Sequence, residues 1–241
     1  MKFAEIMARA LQPKGGPRAA LSVRALDEEG AAEILVYDQI GFWGVTAEDF
    51  VTALRGIDAQ VIHLRIDCPG GDVFMARAMK TALEQHSAKV VAHVDGLAAS
   101  AASYLMLGAD EVEIAQGAFV MIHNAWTITL GDKLEHSKAG DLLSKIDGAI
   151  RADYAAKTGR DPQDFAQMMD DETWLTADEA VELGLADRVY DREGGASNRF
   201  DLSVYDNAPA ALIHAEEPDK ELAAHRAASL RKLEFFERVA P

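Results

Sequence analysis

The sequence predicts an α/β fold with a parallel sheet, and three observations lead there. First, an apolar, β-branched run followed by a turn and a helical pattern occurs twice in succession, at residues 61–86 and again from residue 89 onward. Second, 49% of the 241 residues are apolar, which is enough for one sizeable core. Third, strands alternating with helices bury their apolar faces best when the strands run parallel and the helices pack on the sheet.

Taken in order, residues 1–30 read as an N-terminal arm, because Pro13-Lys14-Gly15-Gly16-Pro17 breaks any helix begun before it. Residues 32–40 read as a strand, 41–45 as a turn carrying Phe42 and Trp43, and 46–54 as a helix with Thr46 as N-cap. VIHLRID at 61–67 is the next strand. Cys68-Pro69-Gly70-Gly71 turns into a helix over 72–86, whose inner face carries Val73, Met75, Ala76, Met79, Ala82 and Leu83. The stretch 90–108, VVAHVDGLAASAASYLMLG, reads as a buried strand, a turn at Asp95-Gly96 and a helix, with Ser100 at or near the first helical turn. Two short strands at 111–115 and 118–122 end at His123. A long charged helix over 132–158 follows, then one started by Asp161-Pro162. Thr176 and Glu179 form a capping box for a helix that stops at Gly184, and 186–191 is a last strand. From Arg192 the composition turns to Gly, Ser, Asn, Asp and Pro. Residues 221–239 then read as an amphipathic helix anchored by Leu222, Leu230, Leu233 and Phe236, packed either on a neighbouring subunit or back on its own core. The expected organisation is an arm at 1–30, one domain at 31–191, and a linker with a C-terminal helix at 192–241.

Charge and composition exclude several functions. With 24 basic and 40 acidic side chains the formal charge is −16, which repels phosphate backbones and argues against nucleic-acid binding. Cys68 is the single cysteine, so no intrachain disulfide forms, in keeping with a reducing compartment. Glu5 and Arg9 interrupt the N-terminal apolar stretch, unlike a signal peptide, and the uncharged run between Asp95 and Asp110 is too short to span a bilayer. A cytoplasmic, soluble protein without a membrane partner is expected. No histidine pair has zinc-ligand spacing. The Gly70-Gly71 turn lacks the lysine of a P-loop and the spacing of a dinucleotide fingerprint, so neither metal nor cofactor is expected.

The chemistry concentrates at two strand ends. A serine at a helix start, ringed by Ala98, Ala99, Ala101 and Ala102, can be approached closely and has unpaired N–H groups beside it, as a nucleophile needs. The alternative is that Ser100 or Ser103 merely caps the helix. His123 lies just past a strand, where catalytic loops begin, whereas His63 and His93 lie within strands and read as structural. The acidic run Asp170-Asp171-Glu172 reads from the residues alone as a solvated helix end.

Together, CPGGDV at 68–73, VDGLAASAAS at 94–103, MIHN at 121–124 and LTADEAVELGLAD at 175–187 resemble the serine peptidases of the Clp proteolytic-subunit type. With WGVT at 43–46, MIHNAW and DDETWLT, the variants resemble the branch of phage head maturation (prohead) proteases. The resemblance spans roughly residues 33–190. It implies a spiral of ββα units like that of ClpP and crotonase, with 132–158 as a protruding handle helix. It also implies Ser100 as nucleophile, His123 as general base, and Gly71 and Ala101 as oxyanion-hole donors.

Three positions depart from the family pattern. Glu172 stands where an aspartate usually completes the triad, with Asp171 and Asp170 as neighbouring candidates. Cys68 replaces a serine that usually opens the PGG turn, and reads as structural. Ala125 replaces a proline after the histidine and is expected to loosen that loop.

The implied partners are polypeptide substrates, in a phage setting capsid and scaffold proteins, and further copies of the chain in a ring. The rival readings are a housekeeping Clp peptidase fed by an unfoldase ATPase, a crotonase-like acyl-CoA enzyme with no need of a serine nucleophile, and an inactive ring or scaffold subunit.

Overall fold

The computed structural model describes residues 21–26, 30–42, 44–190, 200, 202 and 204–212. Eight strands form one sheet in the order β1-β2-β3-β4-β5-β8, with β6 joined to β4, and β7 to β6. The strands are β1 Ser22–Leu26, β2 Ala31–Val36, β3 Val61–Cys68, β4 Lys89–Ala99, β5 Glu111–Ala115, β6 Phe119–Ile122, β7 Thr173–Thr176 and β8 Arg188–Tyr190. The helices are α1 Ala47–Arg55, α2 Val73–Glu84, α3 Ala101–Leu105, α4 Lys133–Thr158, α5 Pro162–Asp170 and α6 Ala177–Leu183. β2 to β3, β3 to β4, β4 to β5 and β5 to β8 all pair parallel, as the alternating pattern predicts.

The core follows from periodicity. β2 and β3 alternate buried and part-exposed residues, sending Ile34, Val36, Ile62, Leu64 and Ile66 inward. Phe50 and Leu54 of α1 and Ala76, Met79 and Leu83 of α2 cover that face. The predicted caps form at Thr46 and Asp161, which accept from first-turn N–H groups, as Asp72 and Asp132 also do; Thr176 and Glu179 make a reciprocal capping box, and Gly184 ends α6 in the left-handed conformation.

Several expectations need correction. Within the stretch read as an N-terminal arm, residues 22–26 form an edge strand antiparallel to β2. The strand expected over 32–40 ends at Val36, and Ile40 makes only single bridges to Val45 and Gly71. Asp95-Gly96 is not a turn: β4 runs through it to Ala99. The dipeptide instead marks where β4 changes partner, from β5 at Val91–Val94 to β6 at Leu97–Ala99. A β-carbon on Gly96 would lie 2.8 Å from Oδ1 of buried Asp67, so a side chain here would have to displace that carboxylate. The helix after Ser100 is also short, with α3 passing into a 3-10 turn at Met106–Gly108.

Part of the stretch read as a linker packs on the domain. Phe200 and Leu202 are buried in a small cluster with Leu97, Ala99 and Met121. The amphipathic helix expected at 221–239 lies outside the described residues. Among the described residues no helix is long and apolar enough to cross a membrane.

Candidate active site

Parallel pairing brings the two key side chains together. Ala99, the last residue of β4, is in register with Met121 of β6. The residues just beyond these strand ends therefore emerge side by side. Ser100 and His123 do so, with Nε2 of His123 2.8 Å from Oγ of Ser100. They are 23 residues apart in the chain, and each was singled out in the sequence by its position past a strand.

Ser100 sits on a strained strand-to-helix elbow, at φ 54° and ψ −122°. A non-glycine residue there costs about 1–3 kcal/mol and persists only where its surroundings hold it. Here its N–H donates to the Met121 carbonyl at 2.8 Å. Its carbonyl accepts from the Ser103 hydroxyl at 2.7 Å, and Ser103 in turn bonds the buried Tyr154 hydroxyl at 2.7 Å. The Ser100 side chain makes no capping bond to α3. The capping alternative thus fails for Ser100, and Ser103 is a structural brace.

The glycine turn lies against this elbow. A β-carbon on Gly70 would stand 2.7 Å from both the Ala99 oxygen and the Ser100 β-carbon, and 3.1 Å from the Ala101 nitrogen. A β-carbon on Gly71 would stand 1.9 Å from the Ile40 oxygen. Both glycines adopt positive φ, 98° and 140°, so side chains are excluded twice over. The bridge to Ile40 uses the Gly70 carbonyl and the Asp72 N–H, leaving the Gly71 N–H out of that ladder. The Ala101 N–H, first in α3, has no intrahelical partner. The glycine turn and the Ala101 N–H therefore both lie beside the serine.

Burial holds the His123 imidazole below its ordinary pKa, and the negative charge of Glu172 partly offsets this. A neutral imidazole beside a hydroxyl is the state in which a base accepts its proton. Among the described residues no hydrogen bond joins Glu172 to His123. The Glu172 carboxylate accepts instead from Trp174 Nε1 at 3.2 Å and from the N–H groups of Asp206 and Asn207 at 3.1 and 2.8 Å. The other two acids are turned to different tasks: Asp170 accepts from Asn124 Nδ2 at 2.6 Å, and Asp171 from Gln167 Nε2 at 2.8 Å. Of the three, Glu172 is the one whose charge acts on His123. Like Ser100, it adopts positive φ, at 47°.

Cys68 is wholly buried, and desolvation pushes its thiol up to about 12, so it is not a thiolate nucleophile. The loop after His123 is tied down rather than loosened: the Ala125 N–H donates to Asp147 Oδ1 on α4 at 2.8 Å, a bond that proline could not make. Among the described residues no group of three or more His, Cys, Asp or Glu side chains is disposed to hold a metal.

The residue that sequence reasoning missed is Tyr205. Its ring meets His123 edge to face at 5.5 Å and Trp174 at 5.7 Å, and its hydroxyl donates to the Pro69 carbonyl. The available signal was weak, namely the apolar residues Phe200, Leu202 and Tyr205 in an otherwise polar stretch.

A half-buried serine on a strained elbow, with an imidazole and a glycine turn beside it, is the kind of arrangement that nucleophilic hydrolases use. The comparisons narrow this. Residues 33–193 match the model of the Clp protease family, and the chain belongs to that family. It is 31% identical over 143 residues to the ATP-dependent Clp protease proteolytic subunit 2 of Treponema denticola, covering 58% of this chain and 68% of the relative. It superimposes on a ClpP1 point mutant from Listeria monocytogenes with a TM-score of 0.60 at 20% identity, over 67% of this chain and 92% of that one. The fold is thus ClpP-like, as the four sequence blocks imply.

Proposed function

We propose that the protein is a serine endopeptidase in which Ser100 is the nucleophile, His123 the general base, Glu172 the acid and Gly71 and Ala101 the oxyanion-hole donors. The observation that carries this is the 2.8 Å contact between the elbow serine and the imidazole. His123 takes the Ser100 proton as the oxygen attacks a peptide carbonyl. The two N–H groups receive the oxyanion, and His123 then protonates the leaving amine before water releases the acyl-enzyme. Glu172 steadies the imidazolium by charge. A crotonase-like reaction would have no use for the serine–histidine contact, and an idle subunit no need to hold Ser100 in a costly conformation.

The substrates we assign are polypeptides, specifically capsid and scaffold proteins processed in a homo-oligomeric ring with α4 as the handle between rings. The motif variants at 43–46, 94–103, 121–126 and 170–176 support this setting. A second reading, a housekeeping peptidase fed by an unfoldase ATPase, is favoured by the Treponema relative, whose name is that of an ATP-dependent proteolytic subunit. Mass spectrometry of capsid and scaffold proteins co-expressed with wild type and with Ser100→Ala tests both. Cleavage that depends on Ser100 and needs no ATPase supports head maturation. Cleavage only with an unfoldase and ATP supports the second reading. Processing that survives Ser100→Ala, in a variant that still assembles, overturns the mechanism.

A further inference from the structure

Tyr205 lies where a substrate must come. Its hydroxyl donates to the Pro69 carbonyl, in the glycine turn that lies against Ser100. Its ring covers the edge of His123 and abuts Trp174. A carbonyl carbon attacked by Ser100 has to approach Oγ to about 3–3.5 Å. A phenol set between the glycine turn and the His123 ring takes up part of that approach.

The backbone around Tyr205 is anchored on both sides. Phe200 and Leu202 are buried against Leu97, Ala99 and Met121, the ends of the two strands that carry Ser100 and His123. On the other side, the Asp206 and Asn207 N–H groups donate to Glu172, and the Asn207 side-chain amide donates to the Asp171 carbonyl. The carboxylate best placed to orient His123 is thus occupied by main-chain donors from this segment. A side chain, not a peptide bond, faces Ser100, so the segment fills the crevice without being presented for cleavage.

We infer that the segment carrying Phe200, Leu202, Tyr205 and Asn207 is an autoinhibitory strap, with Tyr205 as the plug and Glu172 as the latch that holds it. This rests on the peptidase reading and deepens it. Displacing the strap opens the space in front of Ser100 and frees the Glu172 carboxylate to receive the other ring N–H of His123. One group thereby serves two states: it binds the strap in the closed enzyme and steadies the imidazolium in the open one.

The test is the rate at which a fluorophosphonate probe labels the full-length chain in five forms: wild type, Tyr205→Ala, Leu202→Asp, and each of these two variants again with Ser100→Ala. Tyr205→Ala removes the plug, and Leu202→Asp unseats the anchor without touching the site. With one hydrogen bond and two ring contacts holding the phenol over the site, both variants are expected to label at least about tenfold faster than wild type. Thermal melts accompany the labelling, and if Leu202→Asp does not fold then Tyr205→Ala decides. Equal or slower labelling of Tyr205→Ala, still dependent on Ser100, overturns the strap and leaves the peptidase reading standing. Labelling that persists in Ser100→Ala, or is absent from every form, overturns the reading itself.

Discussion

Replacing Gly70 with alanine should disable the site by moving it rather than by removing any reacting group. The added methyl carbon would lie 2.7 Å from the Ala99 oxygen and from the Ser100 β-carbon, against 3.4 Å at the inner limit of ordinary contact. The elbow must therefore retreat by about 0.7 Å, and a misplacement of ~1 Å at reacting groups costs about 100-fold in rate. The same methyl would sit 3.1 Å from the Ala101 nitrogen, obstructing one oxyanion donor, whose loss alone typically costs about 10²–10³ in turnover. Because φ at Gly70 is 98°, alanine also brings backbone strain of about 1–3 kcal/mol. At ~2–4 °C per kcal/mol for a chain of this size, that lowers the melting temperature by a few degrees. The assay is hydrolysis of a fluorogenic peptide with parallel thermal melts, in the wild-type and Tyr205→Ala backgrounds. The expected result is a folded protein, slightly less stable, with turnover down at least about 100-fold. A variant that melts lower yet turns over within threefold of its parent would refute the reasoning, since the turn could not then abut the reacting atoms.

Two further predictions follow from the electrostatics. Burial favours neutral His123, so the acid limb of the kcat/KM–pH profile should lie below the usual imidazole range. Glu172→Gln, which removes the charge that favours imidazolium, should move that limb to still lower pH while reducing kcat. A limb that stays put or rises would show that the Glu172 charge does not reach the base. Cys68, buried with its thiol pushed up to about 12, should resist maleimide in the native state, and Cys68→Ala should keep peptide turnover within about threefold of wild type, since its sulfur bonds the Gly70 backbone and otherwise sits in the apolar core. Loss of activity in a Cys68→Ala variant with an unchanged melt would give the thiol a role in the chemistry.

Much of the site was legible in the chain because it depends on strand ends. Ser100 and His123 each follow an apolar run, and parallel pairing sets such ends side by side. The caps at Thr46, Asp161 and Thr176 were equally plain, since a cap is a local event within four residues. The Asp95-Gly96 dipeptide misled because its turn chemistry is local, whereas the need for a bare α-carbon opposite Asp67 arises from β3, far away in sequence. The edge strand β1 was missed because its residues are mostly exposed and lack a buried alternating face. The contacts of Tyr205 could not be foreseen, since they involve single residues of an aperiodic segment meeting a surface assembled from β4, β6 and β7. The direction taken by Glu172 depends on those same contacts. The family resemblance placed it near His123, but not what its carboxylate would hold.

One helix is tied to the chain on both sides of the serine–histidine pair. α4 is 26 residues long, about 39 Å of rod. From it Asp147 grips the loop behind His123, Asp153 takes the hydroxyl of Tyr104 in the helix that follows the nucleophile, and Tyr154 reaches the serine that braces the elbow. These three attachments lie within two turns, while the half nearer the N-terminus buries almost nothing. A force applied to the free half is therefore carried to the neighbourhoods of both Ser100 and His123 through the same short stem.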